Sequence, residues 1–327
     1  MISNKLRLSL LSAAFILVLT ANLDAAKRVK LELNMDKGDS YQIRMTQVQR
    51  IFQGAKDRKV DTKSSMTVMY GYDVMDVDDG GNMTVKMTCD SMRAKQDGPA
   101  GKQEFDSTKP DTHSSPFSEA FKGMLDMSFT MTLTPKGEVT DISGYDKYFE
   151  RVLKNMKSSD EQRKKQVEEY IKENFGSDQM RKWMEMGFQA YPEKEVKVGQ
   201  KWGKKMEVRT FFPLIMTSKF KLLKLDKKGI ATISVDSDLV SDPKAKPRQI
   251  GQVSQAFDFK GRQWGTYKIN TSNGFIEYSK IRHVMSGTVT IDGVQDFGNT
   301  FKIPMTMKGI TEIESKPKDK AASQKKG

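Results

Sequence analysis

Along most of the chain, large apolar residues occupy every second position. Met83, Val85, Met87 and Cys89 alternate with Thr84, Lys86, Thr88 and Asp90. Likewise Met127, Phe129, Met131 and Leu133 alternate with Ser128, Thr130, Thr132 and Thr134. A period of two with threonine on the polar side is the pattern of an antiparallel sheet wet on one face. The same alternation predicts strands at 31–34, 41–51, 66–77, 217–225, 230–239, 265–271, 275–282, 284–292 and 301–313. One stretch, 144–188, changes period. Tyr145, Phe149, Val152, Leu153 and Met156 fall at helical spacing, and Ser158 with Glu161 makes a capping box. Val167, Tyr170, Ile171 and Phe175 give a second helix its apolar face. After Gly176, Ser177 caps a third that carries Trp183, Met184 and Phe188.

The order of strands and turns repeats. KGDSYQIRM, from Lys37, is answered by VGQKWGKKM, from Val198: a turn glycine, two polar residues, then an aromatic entering a strand. Next, SSMTVMYGYDVMDVDDGGNMTVKM is answered by LIMTSKFKLLKLDKKGIATISV, and MSFTMTLTPKGEVTDIS by GTYKINTSNGFIEYS. Thr134-Pro135-Lys136-Gly137 and Thr271-Ser272-Asn273-Gly274 stand at equivalent places and end in the glycine a tight hairpin wants. The period, roughly 140–160 residues, is too long for a solenoid. The expected fold is mainly β (α+β): two related antiparallel, curved β units, 26–143 and 191–315, with a helical insertion at 144–190.

This duplication decides how to read DVDDGGNMTVKMTC, residues 76–89. Its aspartates suggest a calcium loop, but Gly80 falls where a ligand belongs and no glutamate closes the loop. The second copy reads Leu225-Asp226-Lys227-Lys228-Gly229, with lysines at the carboxylate positions. What the two share is a glycine able to take positive φ, so a hairpin is expected.

Two segments carry a resemblance. Tyr191-Pro192-Glu193-Lys194-Glu195-Val196-Lys197-Val198-Gly199-Gln200-Lys201-Trp202 resembles the Pro-x-x-x-Val-x-x-Gly-x-x-Trp entry of an uncharacterised family of exported bacterial proteins. Leu133 to Val139 resembles that family's Leu-Thr-Pro-x-Gly-x-Val hairpin. The likeness covers about 30–314, and its motifs are structural turns. It implies an extracytoplasmic β-rich protein and brings no activity, cofactor or catalytic residue.

Composition adds a compartment. Lys5 and Arg7, an apolar run from Leu8 to Thr20 and a small-residue end at Ala25-Ala26 form a secretory signal, 1–25. No cysteine follows that run, so lipid anchoring is not expected, and the mature chain should be soluble in the periplasm or outside the cell. Cys89 is the sole cysteine, which forbids an intramolecular disulfide and makes it a buried small hydrophobe. The net charge of +13 is spread along the chain except at the tail, 316–327, a basic segment expected to be disordered. That tail would attract an anionic envelope component.

Catalytic chemistry is not visible. His113 and His283 stand apart from other ligand types, and no GxSxG, P-loop, HExxH or CxxC occurs. The expectation is a non-enzyme without cofactor or metal. Lys260-Gly261-Arg262-Gln263-Trp264-Gly265-Thr266-Tyr267-Lys268 interleaves bases with aromatics as stacking platforms do, but Tyr267 belongs with Ile269 on an inward face, so specific nucleic-acid binding is not expected. The most unusual feature is 21 methionines, concentrated on apolar strand faces. Methionine fills irregular space and can line adaptable sites. The candidate lining of an apolar or lipid ligand site is Met66, Tyr70, Met83, Met87, Met127, Phe129, Met131 and Tyr267. The rival reading is a structural or adhesive envelope protein that engages anionic polymer through a basic face.

Overall fold

The computed structural model describes residues 28–54, 59–109, 115–122, 125, 127–144, 165, 177–209, 212–250, 253–294 and 299–318. Thirteen strands make one antiparallel sheet. In its first half are β1 (Ser40–Gln53), β2 (Val60–Val77), β3 (Met83–Gly98), β4 (Gly101–Asp106), β5 (Ser128–Leu133) and β6 (Val139–Ser143). Next come β7 (Lys201–Arg209), β8 (Pro213–Leu225), β9 (Ile230–Ser241) and β10 (Arg248–Ile250). The longest follow: β11 (Val253–Asn270), β12 (Ile276–Val294) and β13 (Asn299–Pro317). Among the described residues, the short helices α1 (Pro116–Lys122) and α2 (Ser177–Glu185) accompany them. Of the helical stretch expected at 144–190, residues 145–164 and 166–176 lie outside the described residues.

The strand order is β6-β5-β3-β2-β1-β13-β12-β11-β9-β8-β7, with β4 beside β3 and β10 beside β11. The sheet is not closed, since β6 and β7 end the path. Most alternating segments are strands as expected, with two differences. The runs 275–282 and 284–292 are one strand, because β12 pairs without interruption along β11 and β13 from Tyr278 to Asp292. Residues 31–34 are not a strand. Leu31, Leu33 and Met35 are buried as the alternation implies. Their backbone, however, bonds to turns: Leu33 N–H donates to the Pro135 carbonyl and Asn34 N–H to that of Asn273, both at 2.8 Å.

The same local devices recur on the two sides of β13. Gly38 N–H donates to Val74 O at 2.9 Å, and Gly199 N–H to Leu222 O at 2.8 Å. A bulge beyond Val74 turns out Met75, and one beyond Leu222 turns out Leu223, leaving them 50% and 43% exposed. Register slips again at Thr132/Leu133 and at Lys268/Ile269. In the β2–β3 turn, Asp78 Oδ1 accepts from the N–H groups of Gly80 (2.9 Å) and Asn82 (2.8 Å). In the β8–β9 turn, Asp226 Oδ1 accepts from Lys228 (2.8 Å) and Ile230 (2.9 Å). Both turns are hairpins. The Asn82 side-chain amide, donating to Asp78 Oδ2 at 2.8 Å, and then the backbone bonds hold Asp78 below the usual carboxylate range, and the backbone bonds from Ile230 and Lys228 do the same for Asp226.

The sheet curls until its ends meet at one rim. The largest core cluster combines Val74, Val85, Met131 and Leu133 from one end of the strand order with Phe220, Leu222, Ile233 and Ile269 from the other. Leu31, Leu33 and Met35 fill the space between them. Helix α2 spans the two edge strands. Glu185 Oε1 accepts from Val139 N–H of β6 at 3.1 Å, and Lys182 lies 3.8 Å from Glu207 of β7. The helix thus covers edges that would otherwise expose unpaired backbone. The leading segment passes so close to the β11–β12 turn that a Cβ on Gly274 would strike the Glu32 carbonyl.

In the Asp78 turn the positive φ belongs to Gly81, at +77°, and not to Gly80. Gly81→Val is therefore expected to lower stability by about 1–2 kcal/mol, the cost of a left-handed conformation for a side-chain-bearing residue. Gly80→Val should cost less. Urea melts of the two variants check the order, and equal losses would place the strain elsewhere.

Candidate functional site

The inner face of the curled sheet is not uniformly apolar. Along β1 it reads Ile43, Met45, Gln47, Gln49 and Ile51. The register carries the Gln49 level across ten strands: Gln103, Gln96, Ser64, Gln49, Gly309, His283, Gln263, Ser237, Ser218 and Lys204. Every one is polar or glycine. The next level on one side reads Met66, Gln47, Thr311, Ile281, Gly265, Val235, Phe220 and Trp202. On the other side it reads Thr62, Ile51, Met307, Met285, Gly261, Leu239, Met216 and Met206. A polar belt therefore crosses the inner face between rows that are apolar apart from Gln47, Thr311 and Thr62.

One end of the belt is closed. Ser218 and Ser237 are buried, their hydroxyls 2.8 Å apart, and Ser218 donates to the Gln189 amide oxygen at 3.1 Å. Towards the middle and the other end, Gln49, Gln96, Gln103, Gln263 and His283 are only half-buried although they face inward. The His283 ring lies where a Cβ on Gly309 would be, so only glycine fits opposite it. Burial holds the His283 imidazole below its ordinary pKa of 6.5. The belt is thus neutral at its centre and offers amide and imidazole groups to whatever enters.

Apolar walls flank it as two separate clusters. The first centres on Val68, Cys89, Met92, Ala94 and Phe105, with Met45, Met66, Tyr70, Phe117, Phe121 and Leu125 partly buried around it. The second centres on Met216, Leu239, Phe259, Met285, Val289 and Met307, with Ile51, Met206, Phe212, Phe257, Ile291, Ile303 and Met305 partly buried. Cys89 is a buried thiol, not in a disulfide, within the first.

The sequence-selected candidates divide among these regions. Met83, Phe129, Met131 and Tyr267 are buried in the sealed core at the curled rim, and Met87 packs against it. Burial pushes the Tyr267 phenol up to about 12 against the opposing pull of a Gln189 hydrogen bond. Met66 and Tyr70 belong instead to the wall beside the polar belt, where burial raises the Tyr70 phenol. Met127 is half-buried just before β5. Neither His283, Gln49 nor Gln263 was singled out from sequence as part of a site. The available signal was Gln47 and Gln49 at successive inward positions of an otherwise apolar alternation. The basic–aromatic run 260–268 is split by its strand: Tyr267 faces inward, while Trp264 shares the outer face with Arg262.

Because folding depresses the His283 pKa, protonation favours the unfolded chain. This contribution is fully present above the unfolded value and is lost as pH falls through the folded one. Between about pH 7 and pH 5 the wild type should lose stability more steeply than His283→Gln. Denaturant melts across that range measure the slopes, and parallel lines would show that His283 is solvated.

None of the curated proteins matches this chain. Among solved structures it is similar to lipovitellin, in a study of lipid–protein interactions, at 7% identity and a TM-score of 0.49. That match covers 86% of this chain and 25% of the other, so the chain spans a quarter of the lipovitellin length. It is also similar to OccK7 (OpdD) of Pseudomonas aeruginosa, at 6% identity and a TM-score of 0.24, over 86% of this chain and 100% of that one. A third, OmpF of Salmonella typhi in complex with daunomycin, shares 7% identity at a TM-score of 0.22, over 84% and 98%. No helix among the described residues is long and apolar enough to cross a membrane. A model of a family of unknown function matches residues 80–276, more than half of the 327, and the chain belongs to that family, DUF6263.

Proposed function

We propose that this is an exported, non-catalytic protein that holds an apolar or lipid-like ligand on the inner face of its sheet. One observation carries the reading: two partly accessible apolar walls flank a half-buried neutral belt on one concave face. A space of that make-up suits an amphiphile whose chain lies along methionine and aromatic side chains while its polar end meets Gln49, Gln263 and His283. Soluble proteins rarely leave large contiguous apolar surface accessible without a partner for it. In this reading Met66 and Tyr70 line the ligand, joined by Met45, Ile51 and Met305. Met83, Met131, Phe129 and Tyr267 serve as core. The recurrence of bulges, register slips and Asp-anchored turns supports an origin of the two arms as copies of one unit.

Export is tested first, by mass spectrometry of the native protein. A mature chain starting near residue 26 is expected, and an intact Met1 would refute it.

Alanine variants test the ligand. Met83→Ala and Met131→Ala should each cost about 2–5 kcal/mol, as deletions in a packed core do. Met66→Ala and Met305→Ala should cost clearly less and should weaken binding of a fluorescent fatty acid. If all four are equally destabilising and the purified protein neither carries lipid nor binds the probe, the inner face is only a core.

A further inference from the structure

The outer face of the same sheet carries charge in a different arrangement, and this inference does not rest on the inner-face ligand. Over most of that face, cations sit beside carboxylates on neighbouring strands. Arg262 bonds Asp236 at 2.6 and 2.8 Å, Lys280 lies 3.4 Å from Glu312, and Lys95 3.0 Å from Glu104. Two places break the habit: Lys201 of β7 faces Lys221 of β8, and a longer row crosses three strands. Lys63 of β2, Arg50 of β1 and Lys308 of β13 are direct cross-strand partners, three like charges on three consecutive strands. Like charges directly opposite one another in a sheet are destabilising. Arg50 alone of the three is neutralised, by Asp61. Lys63, Lys308 and the nearby Arg282 form no close ion pair among the described residues, although longer-range attraction links Lys63 to Asp61 and Arg282 to Glu312.

These cations surround a groove of about 490 Å³, within the size range of ligand sites, roughly 300–1,000 Å³. Its floor is apolar. Val48, 52% exposed, pairs with Ile310, which pairs with Arg282, which pairs with Trp264. Trp264 also borders a second groove, next to Asp236 and Tyr278. We propose that this outer groove binds an anionic polysaccharide, with carboxylates on Lys63, Lys308 and Arg282 and the apolar face of a sugar ring on Trp264. Charge complementarity selects the anion, and Arg282 can meet a carboxylate bidentately. The spread of Lys63 and Lys308 over two strand spacings, roughly 10 Å, asks for more than one charge on the occupant. A half-buried indole with Arg282 beside it and Ile310 and Val48 farther along the same groove suits a ring that enters a groove better than a flat bilayer, which would need a protruding surface.

The test uses the mature protein, short oligogalacturonate, neutral oligoglucose of equal length, and phosphatidylglycerol vesicles. Calorimetry should show salt-sensitive binding of oligogalacturonate and none of oligoglucose. K63Q/K308Q should weaken binding by about tenfold, whereas K201Q/K227Q, which removes the same charge elsewhere, should change it less than about twofold. Trp264→Ala should weaken it by about fivefold. The melting temperature of K63Q/K308Q should hold or rise, which separates lost binding from lost fold. Absence of oligogalacturonate binding, equal losses in the two double variants, or binding to vesicles alone would each overturn the proposal.

Discussion

The pairing of β1 with β13 is the contact on which the rest of the molecule depends. It runs from Tyr41–Pro317 to Gln53–Met305 and brings residues near the two ends of the described chain side by side. Without it, β1 and β13 would each present a long unpaired edge, and the sheet would fall into two arms. With it, eleven strands form one path long enough to curl until Val85 and Ile233 share a core. The closure entropy of so distant a contact must be met before it is rewarded, so this junction belongs late in folding.

The curl has a second requirement, which lies in side-chain size. Gly261, Gly265, Gly287 and Gly309 all face the inside, and a Cβ on any of them would strike the neighbouring strand or its side chain. Their partners across the ladder are Met285, Ile281, Phe259 and His283. Small against large at each site lets the strands approach and coil on the concave side. The same glycines that bend the sheet therefore decide where the interior is thin, and the polar belt runs through one of them.

Much of the strand plan was legible in the alternation, and so was the Asp78 hairpin, because period and turn chemistry are local. The belt was not. Gln49, His283 and Gln263 are far apart in sequence and become one row only through β1–β13 and β12–β13 register. A polar residue at an inward position of a single strand looks like a lapse in the pattern. Nine of them in register, with one glycine, look like design. Leu31, Leu33 and Met35 show the opposite failure, since their alternation reports burial correctly while their backbone bonds to turns. Methionine content was equally ambiguous: Met83 and Met66 stand in similar local sequence, yet one is sealed at the rim and the other borders accessible space.

The two faces of β1 show how one strand can serve two surfaces. Gln47 and Gln49 point into the curl, whereas Val48 and Arg50 point out from the same four residues. A one-residue slip of β1 against β13 would exchange them, placing a cation in the trough and an amide in the basic row. The register is held from both sides. Inward, Ile51 packs in the cluster of Met307, and outward Arg50 grips Asp61 at 2.8 Å through Nε while lying 4.5 Å over the Phe52 ring. An exposed ion pair of this kind adds little to stability. Its value here is positional, because it fixes which side of the central strand faces the apolar walls and which faces the groove.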